Sequence, residues 1–213
     1  MMPSVFSAEN FRSICDTLAS SDPDLNSIIQ LYGYPPMWSR PNTFESLVHI
    51  ILEQQVSLAS ALAALNKLKE KISLVTPVNV LKLSEEELKA CYFSRQKTIY
   101  VRHMAQAMMN GEFDLVEMEG WSDEKIRSAL IRLKGVGQWT SDIYLIFVLQ
   151  RADIFPSGDL AAVNALKKIK QMPAESLLEA VIQKAKAWQP YRTIATMILW
   201  HYYLSVRRKT VNK

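Results

Sequence analysis

The sequence predicts an all-α protein, and the placement of its glycines, prolines and capping residues supports this fold class. The six glycines fall between the long segments of helical apolar periodicity, as expected because an interior glycine weakens a helix. The prolines lie at segment edges, and three suit the first turn of a helix, namely Pro77, Pro173 and Pro190. No segment has the alternation of a convincing β-strand, and no repeat is detected.

Residues able to cap helices mark the predicted starts in chain order. Two helices are expected in residues 1–41, and later starts are marked by Thr43, Ser57, Ser84, Ser94 and Ser122. Glu87 completes a capping box with Ser84, and Gly111 ends the helix that Ser94 opens. Apolar spacing predicts further helices at about residues 138–150, 159–170, 173–187 and 190–206.

Composition limits the classes of protein to consider. Hydrophobic residues make up 49% of the 213 residues, enough for a packed core. Charges interrupt the apolar stretches, and residues 1–10 lack a basic start followed by an apolar run, so we expect neither a membrane span nor a secretory signal. Two cysteines, Cys15 and Cys91, and three histidines without ligand spacing argue against disulfides and zinc, and favour a reduced cytosolic protein. The net charge of +4 permits an anionic partner without requiring one.

The segment Leu133–Thr140 is predicted to be a tight turn between two helices. Gly135 and Gly137 flank one apolar residue, so the turn can take positive φ and approach a ligand closely while Val136 points inward. The following helix directs its first N–H groups and positive dipole end at an anion, and a phosphodiester satisfies both. A plain helix–helix turn with a C-cap glycine is the alternative. Outward-facing carbonyls that could hold a monovalent cation against the phosphate are those of Ile131, Leu133 and Val136.

The segment Pro156–Asp159 brings a carboxylate from a loop onto the start of a predicted helix. The helix dipole at that position favours the ionised form of Asp159. A simple helix N-cap is the structural alternative for this residue. The other candidate carboxylates are Asp142, inside the helix after the turn, and Asp153, earlier in the loop.

Leu-x-Gly-Val-Gly-x-Trp-Thr, followed by Pro-Ser-Gly-Asp, resembles the helix-hairpin-helix DNA glycosylase superfamily. Within it, the chain looks like the 3-methyladenine DNA glycosylase II branch, which acts on alkylated bases. The similarity covers roughly residues 43–206, and it includes Ile51–Ser57, Trp188–Arg192 and Leu199–Trp200.

The resemblance implies an all-helical, two-lobed fold with a catalytic cleft between the lobes. It also divides the chain. Residues 1–42 are expected to complete a lobe, residues 43–206 to form the glycosylase domain, and residues 207–213 to be a basic tail.

By the same resemblance, Asp159 is the catalytic residue, whose carboxylate stabilises the positive charge on the deoxyribose as the base departs and orients or deprotonates the attacking water. Trp139 and Trp200 match the aromatic residues of the base pocket, whose indole faces attract a cationic methylated purine. Gln55, in the turn Gln54–Ser57, stands at the wedge position that fills the gap left by the extruded nucleotide. The residues expected to hold the DNA backbone are Leu133, Gly135, Val136, Gly137 and Thr140.

The residue at position 139 indicates the reaction type. Bifunctional relatives carry a lysine there that forms a Schiff base with the sugar, whereas this chain has Trp139, and Lys134 lies before the glycines. We therefore expect hydrolysis that leaves an abasic site and no nick. With only two cysteines, the iron–sulfur motif of some relatives is absent, and no cofactor is expected. Ile143 stands where some relatives have a pocket tyrosine, and Tyr144 is adjacent.

The sequence thus predicts a monofunctional DNA glycosylase of base excision repair that removes alkylated purines, such as 3-methyladenine and 7-methylguanine, from duplex DNA. One alternative is a helix-hairpin-helix glycosylase for another damaged base, although Trp139 argues against an oxidised-guanine lyase. A non-catalytic DNA-binding module is the other, although Asp159 and Trp200 argue against it. Because such an enzyme would scan duplex DNA without regard to sequence, we expect a monomer. We expect no membrane partner, and a location in a bacterial-type cytosol or nucleoid, or in a eukaryotic nucleus. Basic side chains that are either phosphate contacts or solvated charges are Arg95, Lys97, Lys134 and Arg192.

Overall fold

The computed structural model describes residues 5–211, with side chains up to residue 207. This part of the chain is almost entirely helical, and the β-bridge found in it joins Val5 to Arg151. The predicted all-α class is confirmed. No helix among these residues is both long and apolar enough to span a bilayer. Residues 212 and 213 of the predicted basic tail lie outside the described residues.

In chain order, the helices of the described residues are α1 (Phe11–Ser21), α2 (Pro23–Tyr32), α3 (Phe44–Glu53), α4 (Leu58–Ile72), α5 (Pro77–Lys82), α6 (Glu85–Ala90), α7 (Arg95–Met109), α8 (Leu115–Met118), α9 (Asp123–Leu130), α10 (Gln138–Phe147), α11 (Leu160–Ile169), α12 (Leu178–Ala185), a 3₁₀ helix (Lys186–Trp188) and α13 (Arg192–Val211).

The chain forms two compact units, which are described separately. Unit 1 comprises the described residues of Pro3–Ser39 and Leu145–Lys213, and unit 2 comprises Arg40–Tyr144. Unit 1 therefore combines an early and a late segment of the chain. The division of the chain after residues 42 and 206 stays a prediction.

Unit 1 is built on α13, which α1, α2 and α11 contact. The residues of α13 from Thr193 to Leu199 are buried on every side, as expected for a central helix. A buried polar network ties α2 to the later helices. Asp22 caps α2 and also accepts hydrogen bonds from Lys170 Nζ and Trp188 Nε1, each at 2.7 Å.

Unit 2 is built on α3, which contacts α4 and α7. Phe44, Leu47, Val48 and Ile51, which lie on one face of α3, are buried. Ile50 and Leu52, which lie on other sides of the helix, are also buried. Since α3 is enclosed on nearly all sides, it is the central helix of unit 2.

The predicted helix starts are mostly observed. Each of the five Ser or Thr residues predicted as an N-cap accepts a main-chain N–H of the first turn. The capping box of Ser84 and Glu87 is present, and Pro77 lies in the first turn of α5. Local sequence therefore determines where these helices begin.

The predicted helix start at Pro173 is wrong. Met172 offers no side-chain oxygen to cap a helix there, and Pro173 instead begins a turn closed by the Ser176 N–H on its carbonyl, so α12 begins only at Leu178. Pro190 precedes the first turn of α13 and does not occupy it.

Two helix ends also differ from the prediction. α10 ends at Phe147, before Gln150, which has a φ of 52° in the left-handed region. α13 continues to Val211 and not only to residue 206, so the described part of the basic segment is helical.

Candidate active site and nucleic-acid interface

Asp159 lies at the N-cap of α11, as the sequence predicted. Its main-chain N–H donates to the Pro156 carbonyl at 2.8 Å, which closes the turn that precedes the helix. Its Oδ1 accepts the Ala162 N–H at 2.8 Å and the Trp200 Nε1–H at 2.9 Å. A capping role requires only the first of these two bonds. The indole bond gives the half-exposed carboxylate a fixed orientation beyond capping.

Aromatic rings surround the indole that binds Asp159. Trp200 lies on α13 and is only 9% exposed. Its ring centroid is 5.4 Å from that of Phe147 and 6.4 Å from that of Trp38, the second pair edge to face at 77°. Unit 1 therefore places a carboxylate beside a group of aromatic rings, an arrangement that attracts a cationic, flat ligand.

The two other candidate carboxylates are held in ion pairs. Asp142 is 1% exposed and accepts from Arg127 Nε at 2.8 Å. Asp153 accepts from Arg192 Nε at 2.7 Å and Nη2 at 2.9 Å. These partners give Asp142 and Asp153 structural roles.

The turn predicted in the segment Leu133–Thr140, called the hairpin from here on, lies in unit 2 and joins α9 to α10. Gly135 has a φ of +82°, and a Cβ added there would lie 2.1 Å from Cδ2 of Tyr100, so only glycine fits. Leu133 and Val136 are buried, as expected from an inward-pointing valine. The turn thus directs its apolar side chains inward and leaves its backbone on the outside.

Gly137 differs from Gly135 in two respects. Its φ lies outside the left-handed region, so the expectation of positive φ holds for Gly135 alone. A Cβ added at Gly137 would meet nothing within 4 Å. This open space leaves room for another molecule to approach the turn closely.

The start of α10 is held in place by a polar network. Asp142 accepts from Arg127 of α9 and, at 3.1 Å, from the Gln138 side chain, and so ties the two helices of the hairpin together. The first helical hydrogen bond of α10 runs from the Ser141 N–H to the Gly137 carbonyl at 3.1 Å. The N–H groups of residues 138–140 therefore precede the helical ladder, at the positive end of the helix dipole.

Gln54 connects the turn after α3 with the hairpin. Its Nε2 donates to the Gly135 carbonyl at 2.9 Å and to the Thr140 hydroxyl at 2.8 Å. Thr140 is only 2% exposed, so its hydroxyl is an internal anchor, and its main-chain N–H is the group at the helix start. The sequence predicted Gln54 only as part of the turn, because a contact between residues so distant in the chain leaves no local pattern.

Gln55, the predicted wedge, is exposed and has a φ of 57°. A left-handed backbone is uncommon for a residue other than glycine. Val56, which follows it, is 46% exposed. The turn therefore presents two side chains to solvent while Gln54 anchors it from within.

Trp139 is the second residue of α10 and is half-buried. Ile143, one helical turn later, is 2% exposed and belongs to the core. Tyr144 is fully buried, and its hydroxyl donates to the Asn42 side chain at 2.8 Å. Tyr144 is therefore a structural residue. It does not replace the pocket tyrosine that some relatives carry at the position of Ile143.

Two of the four basic side chains considered as phosphate contacts have other roles. Lys97 Nζ donates to the Leu52 carbonyl at the end of α3, and burial lowers the pKa of Lys97. Arg192 is paired with Asp153. Arg95 and Lys134 are exposed.

Two features of this arrangement were missed from the sequence. Trp38 and Phe147 contact Trp200, but neither belongs to a motif, and their sequence separation from Trp200 hides the contact. Tyr100 fills the space in front of Gly135. Its position on α7 gave no local indication of that role.

These features define a class. The chain is a helix-hairpin-helix protein that also holds a carboxylate against aromatic rings.

The particular family follows from comparison with known proteins. The chain belongs to the HhH-GPD superfamily of base excision DNA repair proteins, whose model matches residues 48–190. It is 30% identical to the alkylbase DNA glycosidase-like protein mag2 of Schizosaccharomyces pombe, over 86% of this chain and 89% of that protein. The predicted resemblance to this superfamily is confirmed.

Solved structures of similar proteins cover nearly the whole chain. The 3-methyladenine DNA glycosylase Mag1 of Schizosaccharomyces pombe, in complex with abasic DNA, aligns with a TM-score of 0.80 at 28% identity, covering 88% of this chain and 95% of that one. A DNA-3-methyladenine glycosidase from Bacillus halodurans aligns with a TM-score of 0.76 at 28% identity, covering 98% and 95%.

Proposed function

We propose that this protein is a monofunctional DNA glycosylase that hydrolyses the N-glycosidic bond of alkylated purines, such as 3-methyladenine and 7-methylguanine, in duplex DNA. The observation that carries the proposal is the Asp159 carboxylate, oriented by the Trp200 indole at 2.9 Å. The names of similar proteins that cover most of this chain support the substrate class.

Asp159 is the catalytic residue of this proposal. As the purine leaves, positive charge develops on the deoxyribose, and a carboxylate beneath the sugar stabilises that charge. The same carboxylate orients the attacking water or accepts its proton. The bonds from Ala162 and Trp200 hold the carboxylate in one orientation before the substrate arrives, so little reorganisation is needed during the reaction.

The aromatic side chains select the base. A purine methylated at position 3 or 7 is cationic, and a cation over an indole face gains roughly 0.5–2 kcal/mol. Trp200 and Trp139 provide such faces, and Trp38 and Phe147 extend the aromatic surface around Trp200. Because the charged base is also a good leaving group, modest stacking is sufficient for selection.

The hairpin and the turn after α3 grip the DNA. The backbone around Gly135 and Gly137 and the first N–H groups of α10 contact a phosphate, while Leu133 and Val136 anchor the turn from within and Thr140 contributes its main-chain N–H. The carbonyls of Ile131, Leu133 and Val136 would hold a monovalent cation against that phosphate. Leu133 already accepts the Val136 N–H at 3.0 Å, and its second lone pair would serve the cation.

Gln55 is the wedge that fills the space of the extruded nucleotide. Its exposed, left-handed position suits this role, because residues held in rarely populated backbone conformations cluster at functional sites. Its amide can also hydrogen-bond the orphaned base.

Trp139 at the position of the Schiff-base lysine leaves no amine there, so the product is an intact strand with an abasic site. The protein acts as a monomer wherever the genome is, in a bacterial-type nucleoid or in a eukaryotic nucleus.

The test is incubation with methylated duplex DNA, followed by chromatography of the released bases and electrophoresis of the strand without alkali. We expect release of 3-methyladenine without nicking, and loss of release in Asp159→Asn. The matched control is Asp114→Asn, which alters another aspartate N-cap, that of α8, and should leave release unchanged. Binding without release would indicate a DNA-binding module, and spontaneous nicking would contradict the monofunctional assignment.

A further inference from the structure

The chain reverses after α6 through a Schellman motif centred on Tyr92. The Tyr92 N–H donates to the Lys89 carbonyl at 3.0 Å, and the Phe93 N–H donates to the Leu88 carbonyl at 3.2 Å. Tyr92 itself has a φ of 66°. This is the position where helices usually place glycine, because the left-handed conformation crowds any Cβ. A tyrosine here is unfavourable for the fold.

Burial of the ring does not offset this cost. Tyr92 is 65% exposed, whereas the next residue, Phe93, is 3% exposed and stands at the position where this motif usually makes its apolar contact. Folding therefore gains little from a large side chain at position 92. A large aromatic residue that stability does not favour indicates a contact with another molecule.

A cleft of about 320 Å³ lies beside the Tyr92 ring. Its walls include Leu52, Val56, Ala61 and Lys97. Among the described residues that line it, one carries a positive charge and none is acidic. The Lys97 ammonium group already donates to the Leu52 carbonyl, so the cleft offers a mainly apolar wall, which suits a flat base or a deoxyribose.

The cleft is continuous with the turn after α3. Val56 lines it, and Val56 directly follows Gln55, the exposed left-handed residue of that turn. The DNA that reaches Gln55 would therefore also reach the cleft and Tyr92.

We propose that Tyr92 is a further DNA-binding residue, whose ring packs against a nucleobase or deoxyribose that enters the cleft beside Gln55. This inference rests on the proposed function, since it requires DNA to lie along the turn Gln54–Ser57. Tyr92 does not touch the reacting bond, so its contribution is to binding and to the position of the duplex.

Tyr92→Gly separates the two effects of the side chain. Glycine fits the left-handed position, so the variant should melt at the same temperature as the parent protein or higher. The loss of one aromatic–base contact should weaken binding about tenfold. The measurement is fluorescence anisotropy at fixed salt, with a duplex that contains a stable tetrahydrofuran abasic-site analogue, beside a thermal melt. Tyr92→Phe should retain the affinity, because it keeps the ring.

Gln171→Gly is the matched control. Gln171 has a φ of 51° in the same motif, with the Gln171 and Met172 N–H groups donating to the Lys168 and Lys167 carbonyls. It lies at the opposite end of α11 from Asp159. This variant should gain stability in the same way as Tyr92→Gly and bind DNA unchanged.

Equal affinity of Tyr92→Gly and the parent protein would overturn the inference, and the exposed ring would then be assigned to a protein partner. Should Tyr92→Gly melt at a lower temperature, Tyr92→Asn, which also tolerates the left-handed conformation, repeats the test. In the same series, base release by the parent protein tests the proposed function separately. Release by the parent with unchanged binding by Tyr92→Gly rejects only the role of Tyr92, whereas absence of release rejects the proposed function.

Discussion

The two glycines of the hairpin should respond in opposite ways to alanine. At Gly135 the new methyl group would lie 2.1 Å from Cδ2 of Tyr100, on a backbone with a φ of +82°. At Gly137 it would meet nothing within 4 Å, on a backbone outside the left-handed region. The first substitution therefore disturbs the fold, and the second changes only what can approach from outside.

The expected sizes follow from these geometries. A left-handed backbone costs a residue with a Cβ about 1–2 kcal/mol, and overpacking against a ring costs about 1–3 kcal/mol more. At about 2–4 °C per kcal/mol for a chain of this length, Gly135→Ala should lower Tm by roughly 4–20 °C. Gly137→Ala should leave Tm unchanged or slightly higher, because alanine restricts the unfolded chain.

The affinity for duplex DNA, in contrast to Tm, should fall in Gly137→Ala. The methyl group of Gly137→Ala would occupy the space that a phosphate needs. Losing one hydrogen bond to a charged group costs about 1.5–3 kcal/mol, so duplex affinity should fall roughly ten- to a hundredfold. Thermal melts and anisotropy on the same samples measure both quantities.

Two results would refute this reasoning. If Gly135→Ala had the same Tm as the parent protein, Tyr100 would not confine the turn. If Gly137→Ala bound duplex DNA as tightly as the parent protein, no phosphate would come close to Gly137. Adding Tyr100→Ala to Gly135→Ala removes the steric conflict, so the pair should be less destabilising than the sum of the single changes.

Trp200→Phe keeps an aromatic face but removes the bond from Nε1 to Asp159, so single-turnover excision should fall roughly ten- to a hundredfold while duplex affinity changes less than about twofold; equal losses of both would make Trp200 structural. Burial raises the pKa of Asp22, but hydrogen bonds from Lys170 and Trp188 outweigh it and hold that pKa below its usual value. Because the native state then favours the ionised form, the contribution of Asp22 to stability is present above its unfolded pKa and is lost as the pH falls below about 4. The Tm difference between the parent protein and Asp22→Asn should shrink between pH 7 and pH 3, and a constant difference would contradict this account.

The features that the sequence predicted well are local. A serine or threonine N-cap bonds within its own first turn, and the Gly-x-Gly spacing indicated the positive φ found at Gly135. The contact of Trp38 with Trp200 and the link from Gln54 to Gly135 depend on how distant segments meet. No periodicity or spacing contains that information, so these contacts were missed.

Backbone strain alone does not mark a functional residue in this chain. Ser73, Gln150 and Gln171 also have positive φ, and each lies shortly after the end of a helix. Tyr92 also has positive φ just after a helix, yet it carries a large ring that is 65% exposed beside a cleft. A short polar side chain in that turn would cost no more backbone energy and would leave less apolar surface in water. The exposed ring of Tyr92, and not its backbone conformation, is therefore the feature that indicates a ligand. The comparison of Tyr92→Gly with Gln171→Gly separates the effect of the ring from the effect of the backbone.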